Sequence, residues 1–294
     1  MHENESPTTT DLLSSLISPD LMRLLDEATA IRSELSDKYP DLAHILDSPL
    51  QHRAAFAIPQ LCIELSYHAL AGRFMPSRVR WQAMQYSLLC LATAAGDDLV
   101  DLPFSSLDQR VNLACLSLVL GHTAYLNLIS RATEFPFPMV LSALSDMLAR
   151  ITSAACKELT YSAAPGFTLE DYMSLARDKT TSYTAPACVL ASALLDPARA
   201  AQSIMREIGV AIGTAFQLLD DILDARRDRP ATVRSCTYAA YLLSRNESLE
   251  PAITLLYREL SQGQFLISTL PHPHVLRLFL ESLRGKVSSM GIGQ

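Results

Sequence analysis

Two copies of the pattern Asp-Asp-x-x-Asp constrain this chain more than any other feature of its sequence. One copy, Asp220-Asp221-x-x-Asp224, closes an apolar run with helical character. On a helix, Asp220 and Asp224 lie on one face one turn apart, and Gln217 and Asp221 flank that face. Because it is costly to remove several anions from water, carboxylates on the wall of an apolar interior predict a cation-binding site.

The second copy, Asp97-Asp98-x-x-Asp101, follows the uncharged run 81–95. A single copy would be interpreted as a solvated helix end, whereas two copies that each close an apolar helix favour a shared function. Carboxylate oxygens suit Mg²⁺, which binds proteins through a few carboxylates and substrate phosphates. We therefore expect the two motifs to face each other across a cavity and to hold a diphosphate through Mg²⁺.

Composition and charge limit the fold and the partners. The 294 residues are 49% hydrophobic and 19% charged, which provides for a large core. The chain shows no strand alternation of useful length and no linker, so we predict an all-α, single-domain helical bundle around a central cavity over residues 18–294. Residues 1–17, rich in Ser, Thr and acidic residues, are expected to be flexible. The net charge of −7 gives no support to a nucleic-acid partner.

The sequence predicts a cytoplasmic protein. Its six cysteines lie singly in apolar stretches without Cys-x-x-Cys spacing, which is typical of reduced core residues. Residues 1–5 are polar and acidic and no apolar segment follows, so no signal peptide is expected. The longest uncharged run, 111–130, has membrane-spanning length but contains Asn112, His122 and Asn127, so we interpret it as a central buried helix.

The pattern Gly213-x-x-Phe216-Gln217-x-x-Asp220-Asp221-x-x-Asp224 resembles the second aspartate-rich motif of the trans-isoprenyl diphosphate synthases, the polyprenyl synthetase family. Asp97-Asp98-x-x-Asp101 resembles the first motif of that family, and Lys179-Thr180 resembles the pair that binds the allylic diphosphate. The three motifs together are more specific than any one of them. The resemblance implies an isoprenoid-synthase-type bundle, Mg²⁺ as cofactor, an allylic prenyl diphosphate substrate and a homodimer. Peripheral contact with a membrane stays open, because prenyl substrates are apolar.

The resemblance also implies a role for each matching side chain. The expected metal ligands are the six carboxylates of the two motifs: Asp97, Asp98, Asp101, Asp220, Asp221 and Asp224. The expected catalytic residues are Lys179, Thr180 and Gln217. The expected diphosphate ligands are Lys179, Arg226, Arg227 and Arg110. The small residues Ala92 and Thr93, one turn before the first motif, imply a pocket deep enough for farnesyl or longer chains. The implied chemistry is ionisation of an allylic diphosphate, with positive charge neutralising the leaving pyrophosphate.

The chain departs from the family on the side that binds isopentenyl diphosphate. In the family, a basic motif that ends in proline binds isopentenyl diphosphate. The matching stretch here is His52-Arg53-Ala54-Ala55-Phe56-Ala57-Ile58-Pro59, which keeps the proline and one arginine. Its Gly-Gln-x-x-Asp motif is replaced by Ala155-Cys156-Lys157-Glu158-Leu159-Thr160. Its arginine pair after the first acidic motif is replaced by Arg110, which can equally be a surface residue. Arg226 and Arg227 can equally stabilise a helix C-terminus.

Three functions fit these observations. The first is prenyl transfer from an allylic diphosphate to isopentenyl diphosphate or to another nucleophile. The second is cyclisation of the cation within one substrate, as in a class I terpene synthase, which needs no acceptor site. The third is a non-catalytic partner subunit of a prenyl diphosphate synthase, which the two complete acidic motifs disfavour. We rank prenyl transfer first and cyclisation second.

Overall fold

The structure is a computed structural model that describes residues 53–101, 137–161, 168–195, 201–227 and 247–289, with positions 111, 114, 117, 118, 121, 122, 124–128 and 242. The described residues are helical apart from short connections and contain no strand, as the sequence predicts. The isolated positions between 111 and 128 are helical too. The continuous helices are α1 (Arg53–Ala71), α2 (Ser77–Asp101), α3 (Phe137–Tyr161), α4 (Leu169–Lys179), α5 (Thr181–Leu195), α6 (Gln202–Arg227), α7 (Glu250–Ile267) and α8 (His274–Ser289).

Helix α5 lies at the centre of the described fold. Its sequence is apolar or small on every side, and such a helix is expected to be buried all round. From Thr181 to Ala193, every side chain except that of Tyr183 is buried. Helices α1, α3 and α6 pack around it. The N-terminal end of α5 therefore brings the residues before it, Lys179 and Thr180, to the edge of the core.

Two glycines let α6 approach α5 closely. A Cβ atom on Gly209 would lie 2.5 Å from Ala185 Cα and 2.6 Å from the carbonyl oxygen of Thr184. A Cβ atom on Gly213 would overlap Thr184 Oγ1 and lie 2.9 Å from Thr181 Cα. Thr184 Oγ1 donates a hydrogen bond to the carbonyl oxygen of Gly209 at 2.6 Å, which fixes the register of the two helices. These contacts determine where the next turn of α6 meets the start of α5.

The expectation of a central buried helix over 111–130 is wrong for the positions that the structure describes. Ala124 and Leu128 are buried, whereas Val111, Leu118 and Leu126 are exposed. The described positions thus include both buried and exposed apolar side chains. Uncharged composition alone does not distinguish a helix that is buried all round from one with a second, exposed apolar face. Within the described residues, no helix combines the length and the apolar composition that a membrane crossing requires.

A buried ion pair joins α1 to α2. Arg80 Nε donates to Glu64 Oε1 at 2.7 Å, and the two side chains are only 13% and 1% exposed. Gln60 Nε2 donates to the same oxygen at 3.4 Å, while Gln60 Oε1 accepts from Ser87 Oγ at 3.0 Å. Arg80 also donates to the carbonyl oxygen of Met75 at 3.2 Å. A buried charge of this kind is tolerated only while its partner is present.

Replacing Glu64 by glutamine is expected to lower the free energy of unfolding by about 3 kcal/mol, because the largely buried Arg80 then loses the carboxylate that its Nε contacts at 2.7 Å. The matched control is Glu281→Gln, since Glu281 and its partner Arg277 are both about half exposed. Exposed pairs contribute about 0.5 kcal/mol. Urea unfolding followed by circular dichroism measures both variants, and equal losses would contradict the expectation.

Candidate active site

Helix α4 carries Lys179 at its C-terminal end. A capping box begins the helix: Thr168 Oγ1 accepts from the Asp171 amide at 3.2 Å, and Asp171 Oδ2 accepts from the Thr168 amide at 2.9 Å. The helix ends at Lys179, and α5 begins two residues later at Thr181. Lys179 and Thr180 therefore lie at the junction of two helices, one short and capped and the other buried.

Helix α3 anchors α4 from another side. Lys157 Nζ donates to Ser174 Oγ at 2.8 Å and forms an ion pair with Asp178. Arg150 Nη1 lies 3.8 Å from the other oxygen of the Asp178 carboxylate, Oδ1. Lys157 belongs to the segment 155–160, which the sequence analysis matched to the Gly-Gln-x-x-Asp motif. Its ammonium group forms contacts within the protein, with Ser174 and Asp178.

A chain of hydrogen bonds links the start of α5 to the second acidic motif. Thr180 Oγ1 donates to Gln217 Oε1, and Gln217 Nε2 donates to Asp221 Oδ1 at 2.8 Å. The other carboxylate oxygen, Asp221 Oδ2, accepts from the Tyr172 hydroxyl at 2.5 Å. The structure thus brings together Thr180, Gln217 and Asp221, three of the residues that the sequence assigned to one site.

Asp221 is a buried carboxylate, 3% exposed. Burial raises its pKa to about 7, and the neighbouring charge of Asp220 raises it too. The hydrogen bonds from Tyr172 and Gln217 and the charge of Lys179 act in the opposite direction and lower this pKa. Burial, followed by the charge of Asp221, raises the pKa of Tyr172 well above 10, so the Tyr172 hydroxyl keeps its proton and acts as the donor.

The acidic motif on α6 fits a hard divalent cation. Its three carboxylates, Asp220, Asp221 and Asp224, lie within five residues of one helix. Asp220 is half-buried and shares a helix face with Asp224. Carboxylate oxygens are the ligands that Mg²⁺ prefers. Among the described side chains, no three acidic, histidine or cysteine groups form a metal site alone, so further ligands would come from the other carboxylates of the two motifs.

Several of the predicted site residues have side chains outside the described part of the structure. On the backbone, the first acidic motif occupies the last turns of α2 and the end of the second motif occupies the last turns of α6. Arg110 lies outside the described residues altogether. The side chains in question are those of Asp97, Asp98, Asp101, Asp224, Arg226 and Arg227.

Ala92 and Thr93 lie one turn before the first acidic motif on α2. Ala92 is 2% exposed, and a Cβ atom added to Gly121 would lie 3.4 Å from the Cβ atom of Ala92. Thr93 Oγ1 donates to the carbonyl oxygens of Cys90 at 2.8 Å and Leu89 at 3.2 Å, so its hydroxyl is satisfied within its own helix. Small side chains therefore set the spacing between α2 and the helical segment that contains Gly121.

Sequence reasoning missed Tyr172 as a site residue. This side chain is 1% exposed and points from α4 to α6. A buried tyrosine is expected to find a hydrogen-bond partner, which is the one signal that the sequence offers. The identity of that partner depends on how α4 packs against α6, and no spacing along the chain predicts it.

Replacing Gly213 by alanine is expected to destabilise the fold and to disturb the bond between Thr180 and Gln217, because the new Cβ forces α6 away from α5. Overpacking of this kind typically costs about 1–3 kcal/mol. The matched control is Gly285→Ala on α8, where a Cβ would meet nothing within 4 Å. That exchange is expected to stabilise by about 0.5–1 kcal/mol through helix propensity. Thermal unfolding measures both, and a neutral Gly213→Ala would contradict the close packing.

Comparison with known protein families finds a match over the part of the chain that carries this site. The family model described as polyprenyl synthetase matches residues 109–237, which include Lys179-Thr180 and the second acidic motif. No curated protein sequence matches the chain significantly. The predicted resemblance to the polyprenyl synthetase family is confirmed over residues 109–237 by the family model.

Three of these structures show how far the similarity extends. A geranylgeranyl pyrophosphate synthase from Lactobacillus brevis is 18% identical with a TM-score of 0.70, covering 90% of this chain and 97% of that one. A decaprenyl diphosphate synthase from Rhodobacter capsulatus is 16% identical with a TM-score of 0.69, covering 94% and 99%. A geranylgeranyl pyrophosphate synthase from Corynebacterium glutamicum, complexed with calcium and isoprenyl diphosphate, is 17% identical with a TM-score of 0.66, covering 94% and 99%. These TM-scores and coverages show a shared fold, and the predicted all-α isoprenoid-synthase fold is confirmed.

Proposed function

We propose that this chain is a Mg²⁺-dependent prenyltransferase that ionises an allylic prenyl diphosphate and transfers the prenyl group to an acceptor. The observation that carries the proposal is the hydrogen-bond chain from Thr180 through Gln217 to Asp221, which joins the Lys-Thr segment to the second acidic motif in a fold shared with prenyl diphosphate synthases. No described residue is required to act as a covalent nucleophile in this reaction.

In the proposed reaction the allylic C–O bond breaks heterolytically, and the electron pair leaves with pyrophosphate. Bound Mg²⁺ would supply Lewis-acid stabilisation of the charge that develops on the leaving group. Asp220 and Asp224 would hold the cation together with the first acidic motif. Asp221 would contribute charge, since both of its oxygens already accept hydrogen bonds. Lys179 would bind the diphosphate, with Arg110, Arg226 and Arg227 as further candidate ligands.

Thr180 and Gln217 would serve the carbocation that remains. Since the Thr180 hydroxyl donates its proton to Gln217 Oε1, its oxygen offers only lone pairs to any other neighbour. An oxygen that presents lone pairs stabilises positive charge and does not donate to a phosphate. Preoriented dipoles of this kind act without reorganising during the reaction.

The second candidate function is a class I terpene cyclase, in which the cation closes on a double bond of its own substrate. The observation in its favour is the ion pair between Lys157 and Asp178, because the lysine at the altered acceptor-side motif is engaged within the protein. A non-catalytic partner subunit ranks third. The three functions differ in what the purified chain produces by itself.

The test is incubation of the purified chain with Mg²⁺ and geranyl, farnesyl or geranylgeranyl diphosphate, with and without isopentenyl diphosphate, followed by chromatography and mass spectrometry. Asp220→Asn is expected to lower turnover about 100-fold or more, because several kcal/mol of charge stabilisation is lost. The matched control is Asp146→Asn, since Asp146 lies on the surface of α3 and pairs with Arg150 and Arg206.

A longer diphosphate that forms only with isopentenyl diphosphate would support chain elongation. A cyclic hydrocarbon or alcohol from one substrate alone would favour the cyclase, and pyrophosphate release without either product would support transfer to a different acceptor. No turnover with any of the substrates, together with equal behaviour of Asp220→Asn and wild type, would contradict the proposed enzyme.

We also propose that two copies of the chain associate through the apolar face formed by the described positions between 111 and 128. Its exposed side chains include Leu118 (63%) and Leu126 (60%), and Leu148 on α3 is 43% exposed. Val111 and Tyr125 are exposed on the same segment and are spaced along the helix with Leu118. Exposed apolar faces of this kind mark interaction surfaces. A second copy would cover the face symmetrically, as in most soluble oligomers.

Leu118→Glu combined with Leu126→Glu is expected to convert a dimer to a monomer, because each charge would be buried without a partner in the interface. Size-exclusion chromatography with light scattering measures the mass. The control is Phe265→Glu, which changes a side chain that is 70% exposed on α7. A wild-type chain that is monomeric at micromolar concentration, or a dimer that survives the double exchange, would contradict this interface.

A further inference from the structure

We propose that Tyr172 is a positioning residue for catalysis: its hydroxyl fixes Asp221 and, through Asp221, the side chains of Gln217 and Thr180. This inference rests on the proposed function, in which Thr180 and Gln217 face the carbocation. It adds a residue of α4 to a site otherwise made from the acidic motifs and the Lys-Thr segment.

The hydrogen bonds of the chain begin with a donor at the Tyr172 end. The Tyr172 hydroxyl donates to Asp221 Oδ2 at 2.5 Å, so Asp221 Oδ1 is the oxygen that remains for Gln217. Gln217 presents its Nε2 group to this oxygen at 2.8 Å, with Asp221 Oδ1 as the acceptor. The amide oxygen of Gln217 then points to Thr180, which must donate. One phenolic hydroxyl thus holds the carboxylate from which the positions of Gln217 and Thr180 follow.

The donor itself is held in place from several sides. Tyr172 is 1% exposed on the first turns of α4, directly after the capping box of Thr168 and Asp171. The same short helix is tied to α3 by the contacts of Lys157 with Ser174 and Asp178. A group that is rigid in this way can orient its partners, as outer-shell residues commonly do around reactive sites.

Removal of the hydroxyl would leave the ring packing intact while releasing the chain of bonds. In Tyr172→Phe, Asp221 Oδ2 loses its donor, and the carboxylate is free to turn. The Gln217 amide then loses the fixed position of its acceptor, so its oxygen, and with it the lone pairs of Thr180, no longer point in one fixed direction. Binding of the diphosphate depends on Lys179 and the metal ligands and is expected to be retained.

The experiment separates binding from ionisation. Steady-state turnover of the allylic diphosphate that wild type uses is measured for Tyr172→Phe, Thr180→Val and the double variant. Loss of outer-shell partners typically costs about 10–100-fold, so we expect kcat to fall at least about tenfold in Tyr172→Phe. We expect KM and the Mg²⁺-dependent stabilisation by inorganic pyrophosphate to change less than about threefold. The double variant is expected to lose no more kcat than the worse of the two single variants, because both interrupt one chain.

The matched control is Tyr86→Phe. Tyr86 is also 1% exposed, and its hydroxyl donates to the carbonyl oxygen of Tyr183 at 2.9 Å, so the exchange removes one buried tyrosine bond outside the chain. It is expected to leave kcat within about threefold of wild type. If Tyr172→Phe is too unstable to purify, both variants are made in the Gly285→Ala background, which is expected to be more stable.

A readout without turnover tests the orientation directly. In protein labelled with ¹⁵N-glutamine, the side-chain amide signal of Gln217 is assigned by its absence in Gln217→Met. We expect this signal to shift or broaden in Tyr172→Phe and to stay unchanged in Tyr86→Phe. Should wild type show no turnover, the proposed function fails, and this signal still decides whether Tyr172 orients Gln217.

Three outcomes would overturn the inference. The first is a Gln217 amide signal that is the same in Tyr172→Phe and in wild type. The second is a kcat of Tyr172→Phe within about threefold of wild type, with normal binding. The third is a double variant whose loss of kcat is the product of the two single losses, since independent effects multiply.

Discussion

The close approach of α5 and α6 is the constraint on which the rest of this site depends. Gly209 and Gly213 have no side chain to separate the helices, and Thr184 Oγ1 bonds to the carbonyl oxygen of Gly209 at 2.6 Å. One turn beyond Gly213, Gln217 thereby comes within hydrogen-bonding distance of Thr180. Any larger residue at these two glycines would move the second acidic motif away from the Lys-Thr segment. The packing of α5 against α6 in the core therefore also sets the geometry of the site.

The second physical theme is the cost of a buried carboxylate. Asp221 is 3% exposed, and burial raises its pKa to about 7. The chain meets this cost with two hydrogen bonds, from Tyr172 and Gln217, and with the nearby charge of Lys179. A buried carboxylate whose two oxygens both accept hydrogen bonds holds the donor side chains around it in fixed orientations. In our account, Asp221 therefore orders the site, while Asp220 and Asp224 are the proposed metal ligands of this motif.

The sequence predicted those features that depend on local pattern or on a motif. The all-α fold follows from helical patterns, and spacing on one helix placed Gln217 and Asp221 side by side. The sequence did not predict Tyr172, because its contact with Asp221 joins residues on two helices that are far apart along the chain. The prediction of a central buried helix over 111–130 was also wrong for the described positions, since Leu118 and Leu126 are exposed. Their exposure depends on which elements pack against each face of the helix. The ion pair of Lys157 and Asp178 was missed for the same reason.

The central claim is that the residues around Asp220 and Lys179 form a diphosphate site that works through Mg²⁺. Titration of inorganic pyrophosphate into the wild-type chain by isothermal titration calorimetry, once with Mg²⁺ and once with EDTA, tests this most directly. We predict binding with Mg²⁺ and at least a hundredfold weaker binding with EDTA, because carboxylates repel an unscreened anion. Equal affinity under the two conditions would contradict the account, since the acidic motifs would then have no part in holding the diphosphate.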